Sequence, residues 1–285
     1  MGVVNALKRL LRDWAARSSN PDHDSQVVPV PNPQEQSIID RPSTQPQHPV
    51  EPPDYDRFHL TVWTKNLGFM DDARFRSAYR RGITSGHSFT PAWQSDPDFG
   101  IEWSVYTCCW AAKHATRLPG DLVECGVNTG ITSLAVCEYI DFNATGKTFW
   151  LFDTFSGIPE EQMNEHEKAI GRAVFNQWYP DCWERAKANF APFPRARLVR
   201  GMVPHTLADA PIEKVCYLSL DMNIAAPERA AIEFFWPKLV PGAIVILDDY
   251  AWKSFEEQMR TMDEFAAKQG VPILTLPTGQ GIMIK

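Results

Sequence analysis

From about residue 119 to the C-terminus, short apolar runs alternate with segments of helical periodicity, and this alternation narrows the fold more than any other feature. Runs at 122–127 (LVECGV), 148–153 (TFWLFD), 196–200 (ARLVR), 215–220 (VCYLSL) and 243–248 (AIVILD) predict strands, with helices near 130–141, 180–190, 226–238 and 253–269. Such alternation is the pattern of a parallel sheet with crossover helices. Two more strands close the chain, 272–276 (VPILT) and 281–285 (GIMIK), separated only by LPTGQ. That connector is too short for a helical crossover, so the last two strands pair as an antiparallel hairpin or lie on different edges. The expected fold is α/β, with a Rossmann-like mixed sheet that ends in a reversed strand and differs from the all-parallel dinucleotide-binding arrangement.

Upstream of this core the 285-residue chain changes character. Residues 56–118 are Trp- and Arg-rich with helical patches, such as DDARFRSAYRRGI and IEWSVYTCCWAAKHATRL, and form a helical extension or lid. In RFRSAYRRGITSGH, Gly82 and Gly86 allow hinge motion; a plain helical extension or oligomer contact is the other reading. Residues 21–55 carry nine prolines and no aromatic before Tyr55, so they bury too little apolar area to offset ordering entropy and read as a disordered linker. Residues 1–20 place Val3, Leu7, Leu10, Leu11 and Trp14 at helical spacing beside Lys8, Arg9, Arg12 and Arg17. This amphipathic helix either docks on a membrane surface or a partner, or packs on its own domain or an oligomer mate.

Net charge is −7, which argues against a nucleic-acid binder whose affinity comes from a basic surface. The six cysteines lack metal-ligand spacing and several sit inside apolar patterns, as expected of buried thiols in a reducing compartment. No run of 18 apolar residues and no signal-peptide layout occurs, so a cytoplasmic location is expected. A homo-oligomer is also expected.

Two strand ends carry chemistry. LVECGVNTGITSL reads as strand, glycine turn and helix; Gly126 and Gly130 let backbone approach a ligand, and the helix opening near Thr129 offers free N–H groups. Glu124 ends the strand, where a carboxylate can meet an ammonium group. The next strand ends in Asp153, placed to grip ribose hydroxyls and followed by Thr154 in TFSG. The spacing is G-x-x-x-G, a poor fit to nicotinamide fingerprints; a helix cap with a tight turn is the plain alternative.

At the other end, Asp221 closes VCYLSL, and Asp248 and Asp249 close AIVIL. In neighbouring parallel strands their ends lie roughly 5 Å apart. Three crowded carboxylates either raise their pKa values or take a cation. An oxygen-only set suits a hard divalent ion, Mg²⁺ before Ca²⁺ or Mn²⁺. The alternative is that one Asp caps a helix while another pairs with Arg or Lys.

Together VECGVNTG, LFDTFSGIPE, LSLDMN and LVPGAIVILDDYAW resemble the macrocin O-methyltransferase family over about residues 58–285. The resemblance implies a class I S-adenosylmethionine-dependent methyltransferase with a seven-stranded sheet whose last strand is reversed. It implies that Glu124, Gly126 and Gly130, with Asn128 and Thr129 between the glycines, bind the methionine moiety, and that Asp153 with Thr154 takes the ribose. It further implies that Asp221, Asp248 and Asp249 hold a divalent cation, and that Asp221 is the leading candidate base ahead of His87 and His205. The chain departs from antibiotic-sugar members, whose D-x-D-x-Y is here Asp221-Met222-Asn223-Ile224-Ala225, so the acceptor is the open point. A sugar hydroxyl on a small molecule or glycan is the leading acceptor. A nicotinamide-dependent oxidoreductase and a non-catalytic adenosylmethionine-binding relative are the rival readings.

Overall fold

The computed structural model describes residues 52–89 and 95–285. The helix expected over 1–20 and nearly all of the linker expected over 21–55 lie outside the described residues.

The described chain starts with a hairpin the sequence did not signal, β1 (Tyr55–Arg57) and β2 (Leu60–Val62). Its turn residues, Phe58 and His59, both take positive φ, 44° and 64°. Two-residue turns of that hand are normally marked by Asn or Gly, and neither is present. Helix α1 (Ala73–Ile83) is capped by Asp72, whose carboxylate accepts the N–H of Phe75 at 2.8 Å. Helix α2 (Glu102–Ala115) follows.

The core then runs β3 (Asp121–Cys125), α3 (Ile131–Ile140), β4 (Phe149–Asp153), α4 (Trp183–Phe190), β5 (Ala196–Arg200), β6 (Val215–Leu220), α5 (Ala225–Phe235), β7 (Leu239–Leu247), α6 (Glu256–Gln269), β8 (Leu274–Thr275) and β9 (Gly281–Ile284). Strand β7 begins earlier than the sequence suggests because Pro241 and Gly242, which read as a turn, are absorbed where the register with β6 shifts. Gly82 has a packing role. A Cβ there would stand 2.1 Å from the carbonyl oxygen of Ile131, so its absence lets α1 lie against α3.

The seven-stranded order is β5-β4-β3-β6-β7-β9-β8. All pairs from β5 to β7 are parallel, and β9 runs antiparallel to both β7 and β8. The hairpin inferred from the short connector is therefore present, with its second strand inserted next to β7. Helix α2 packs on β6 and β7, α3 packs on α1 and α2, and α5 packs on β6 and α6. The central strands are apolar throughout; β6 is buried at every residue. All six cysteines are buried thiols. Strand order reverses between β3 and β6, and ligand sites of open α/β sheets lie at the carboxyl ends beside such a switch.

Candidate active site

The register of the sheet brings the two predicted strand ends together. Cys125 pairs with Leu220 and Leu220 with Leu247, so the next residues, Gly126, Asp221 and Asp248, emerge side by side. The Asp221 N–H donates to Cys125 O at 2.8 Å and the Asp248 N–H to Leu220 O at 2.9 Å. One carboxylate oxygen from each of Asp221, Asp248 and Asp249 falls within 4.8 Å of the others. All three are partly buried. Burial first, and then the neighbouring negative charges, pushes Asp221 and Asp249 well above the usual carboxylate range; burial also raises Asp248, against the opposing hydrogen bond from Gln280. Asp249 Oδ2 is buried without a hydrogen-bond partner. Three acids held this way with an unsatisfied oxygen form an all-oxygen donor set that fits a hard divalent cation.

Further ionisable groups crowd this rim, and sequence reading singled out none of them. Glu228 is buried and raised to about 8 by desolvation; it accepts the Met222 N–H at 3.1 Å. The Tyr179 hydroxyl lies 3.4 Å from Asn223 Oδ1, and burial together with the charges of Asp221 and Asp249 keeps this phenol protonated. Arg172 is 2% exposed, its guanidinium 3.7 Å from the Phe255 ring centroid and bonded to the Ser254 carbonyl. Burial lowers its pKa, and Asp249 is the strongest charge opposing that shift. Arg172 and Tyr179 belong to residues 155–179, where no periodic pattern marked an element.

At the β3 turn the seven predicted residues divide. Glu124 is 2% exposed, with Oε2 unpartnered and its pKa raised by burial, and the amide Nδ2 of Asn128 is also buried without a partner. Each thus keeps a buried polar atom that no protein group satisfies. The other five have structural work. Gly126 sits at φ +92°, and a Cβ there would lie 1.8 Å from Asp221 O, so its smallness lets the neighbouring strand end approach. A Cβ on Gly130 would meet the Phe190 ring at 2.7 Å. The Thr129 hydroxyl bonds to the Ser85 hydroxyl at 2.7 Å, and the Thr154 hydroxyl to Gly157 O at 2.6 Å. Asp153 accepts three main-chain N–H groups, Val127 at 2.5 Å, Asn128 at 2.8 Å and Phe155 at 2.5 Å. A carboxylate has about four lone-pair sites, and the Thr154 hydroxyl also lies 3.4 Å from Oδ1, so at most about one remains for a ligand. Beyond it a cavity of about 410 Å³ opens at the ends of β4 and β5, lined by Thr154, Ser156, Ile158, Arg200 and Met202 among others.

The two histidines weighed as bases stand apart from the rim. His205 is exposed in the loop after β5. His87 is buried, its pKa lowered by desolvation, and it stacks on Phe89, which packs edge-on against Tyr179 with centroids 5.5 Å apart.

The family described as Macrocin-O-methyltransferase (TylF) matches residues 106–275. Over 152 residues the chain is 32% identical to an 8-demethyl-8-(2,3-dimethoxy-alpha-L-rhamnosyl)-tetracenomycin-C 4'-O-methyltransferase from Streptomyces olivaceus, covering 50% of this chain and 58% of that enzyme. It is 28% identical over 141 residues to a demethyldecarbamoylnovobiocin O-methyltransferase from Streptomyces niveus, covering 47% and 54%. The chain thus spans less than two thirds of the length of these relatives. The solved structure of the O-methyltransferase NovP superimposes with a TM-score of 0.57 at 22% identity, over 66% of this chain and 81% of that one, and shares the fold. No helix among the described residues is long and apolar enough to cross a membrane.

Proposed function

The chain belongs to the macrocin O-methyltransferase family, and from that premise we propose that it is an O-methyltransferase that uses S-adenosylmethionine and a divalent cation to methylate a hydroxyl of a sugar or sugar-containing metabolite. The observation that carries this reading is the convergence of Asp221, Asp248 and Asp249 within 4.8 Å, beside a turn that leaves Glu124 Oε2 and Asn128 Nδ2 without hydrogen-bond partners. The sugar acceptor follows the Streptomyces olivaceus relative, whose printed name gives a rhamnosyl-tetracenomycin as the molecule methylated.

S-adenosylmethionine, when bound, supplies the methyl group of its sulfonium, to which the acceptor oxygen bonds as the carbon–sulfur bond breaks. Glu124 answers its ammonium group and Asn128 its carboxylate, which satisfies the two orphaned polar atoms of the turn. Gly126, Thr129 and Gly130 hold the shape of that turn. Asp153 keeps one lone pair for a ribose hydroxyl, and Thr154 borders the cavity that receives the base. Asp221, Asp248 and Asp249 would hold the cation, which supplies Lewis acidity and a template for adjacent hydroxyls. Asp221 is the leading candidate base, a carboxylate at the end of β6 on the rim where the acceptor hydroxyl would be held. Positioning supplies the rest of the acceleration.

Calorimetry and turnover test the proposal. Adenosylhomocysteine binds, NAD(H) does not, and methyl transfer to a rhamnosyl-tetracenomycin or demethyldecarbamoylnovobiocin acceptor stops in EDTA and returns with Mg²⁺. Asp249→Ala abolishes transfer while adenosylhomocysteine binding survives. NAD(H) binding without adenosylhomocysteine binding refutes the activity, and EDTA-insensitive turnover refutes the cation.

A further inference from the structure

The three rim carboxylates are not held alike. Of the three, and counting donors among the described residues, Asp248 alone receives a side-chain hydrogen bond: Gln280 Nε2 donates to Asp248 Oδ1 at 2.9 Å. Gln280 is 1% exposed and its amide is pinned from both ends. The Thr278 hydroxyl donates to Oε1 at 3.0 Å, and Nε2 also reaches the Ser104 carbonyl at 3.4 Å. An ionised carboxylate only accepts, so the NH₂ end of the amide is the one that faces Asp248.

This contact comes from strand direction. The β7–β9 pairing runs from Ile244 opposite Ile284 to Leu247 opposite Gly281. One more step of the same antiparallel register sets Asp248 opposite Gln280. A parallel strand in that place would have carried the residue before its first pair away from the carboxyl rim. Residues 276–280, LPTGQ, thus do more than close a hairpin: their glutamine lands on the rim because β9 runs backwards between β7 and β8.

We propose that Gln280 is the positioning residue of the cation site: it fixes the Asp248 carboxylate by one oxygen, leaves the other for the ion, and is itself held by Thr278. The inference rests on the cation reading given above. Partners that orient ligating side chains typically contribute a factor of about 10–100 to metal affinity when removed.

The test compares the full wild-type chain with Gln280→Met, which keeps the volume and loses the donor, and with Thr278→Val, which loosens the amide. Mn²⁺ affinity is read by electron paramagnetic resonance, adenosylhomocysteine affinity by calorimetry, and thermal stability in EDTA. Gln280→Met weakens Mn²⁺ binding about 10–100-fold with adenosylhomocysteine affinity unchanged, and Thr278→Val shifts Mn²⁺ affinity the same way by a smaller factor. A folded Gln280→Met with wild-type Mn²⁺ affinity, or one that loses both ligands together, overturns the positioning role. If Gln280→Met does not fold, wild-type Mn²⁺ affinity in Thr278→Val overturns it. Wild-type protein that binds no Mn²⁺ overturns the cation reading itself, whereas wild-type binding that neither variant alters overturns only the role of Gln280.

Discussion

Asp249→Asn is expected to make the metal-free protein more stable while destroying its cation site. Each pair of rim charges, within 4.8 Å, repels by at least about 3.5 kcal/mol at an effective dielectric near 20, and the substitution removes two such pairs. Proton uptake caps that penalty. At about 1.36 kcal/mol per pKa unit, an acid with an ordinary value near 3.8 costs no more than about 5 kcal/mol at about pH 7.5. The Arg172 charge offsets part of the remainder. A gain of about 2 kcal/mol is the expected net, about 4–8 °C in Tm for a domain of this size.

The pH dependence carries the sign. Burial and like charges raise the folded-state pKa of Asp249, so between the unfolded value and that raised value the native state binds more protons than the unfolded chain. Stability therefore falls as pH rises through that window. The advantage of the Asn variant is absent below about pH 4 and full above the folded pKa. Thermal melts in EDTA, followed by circular dichroism from about pH 4 to about pH 8, read this difference. Excess Mg²⁺ then raises the wild-type Tm by mass action and the variant's far less. A variant that melts below wild type at about pH 8 in EDTA refutes the reasoning, because the acids would then already be satisfied within the protein.

Gly126→Ala combines a left-handed φ of +92° with a Cβ 1.8 Å from Asp221 O; a loss of at least about 3 kcal/mol is expected in urea unfolding, and wild-type stability would remove the close approach of β3 and β6 from the account. Glu124→Gln deprives the bound ammonium of a charged partner, so adenosylhomocysteine affinity falls about 10–100-fold by calorimetry; unchanged affinity would place the ammonium elsewhere. Mn²⁺ affinity of the wild type falls as pH drops through the raised pKa values of the rim acids, since their protonated forms are poor ligands; affinity independent of pH between about 5 and about 8 would show that other groups bind the ion.

Much of this architecture was legible without coordinates. The period of apolar runs placed β3 to β7 and their helices within a few residues, and the five-residue connector LPTGQ implied a reversed strand. The acid trio was legible as well, because three carboxylates at the ends of apolar strands are costly enough to stand out. Phe58–His59 was not, since its turn uses positive φ without the residues that advertise it. Nor were Arg172 and Tyr179, which reach the rim from an aperiodic segment.

Strand identity is a local property: burial on both faces selects an unbroken apolar run, and a chemistry-bearing residue at its end is visible in the same window of sequence. Which ends meet is not local. It depends on sheet order and register, which are set by packing between residues far apart in the chain. Only the tertiary structure therefore gave Gly126 its partner in Asp221, committed Asp153 to three main-chain amides, and brought Gln280 to Asp248 from a strand running the other way.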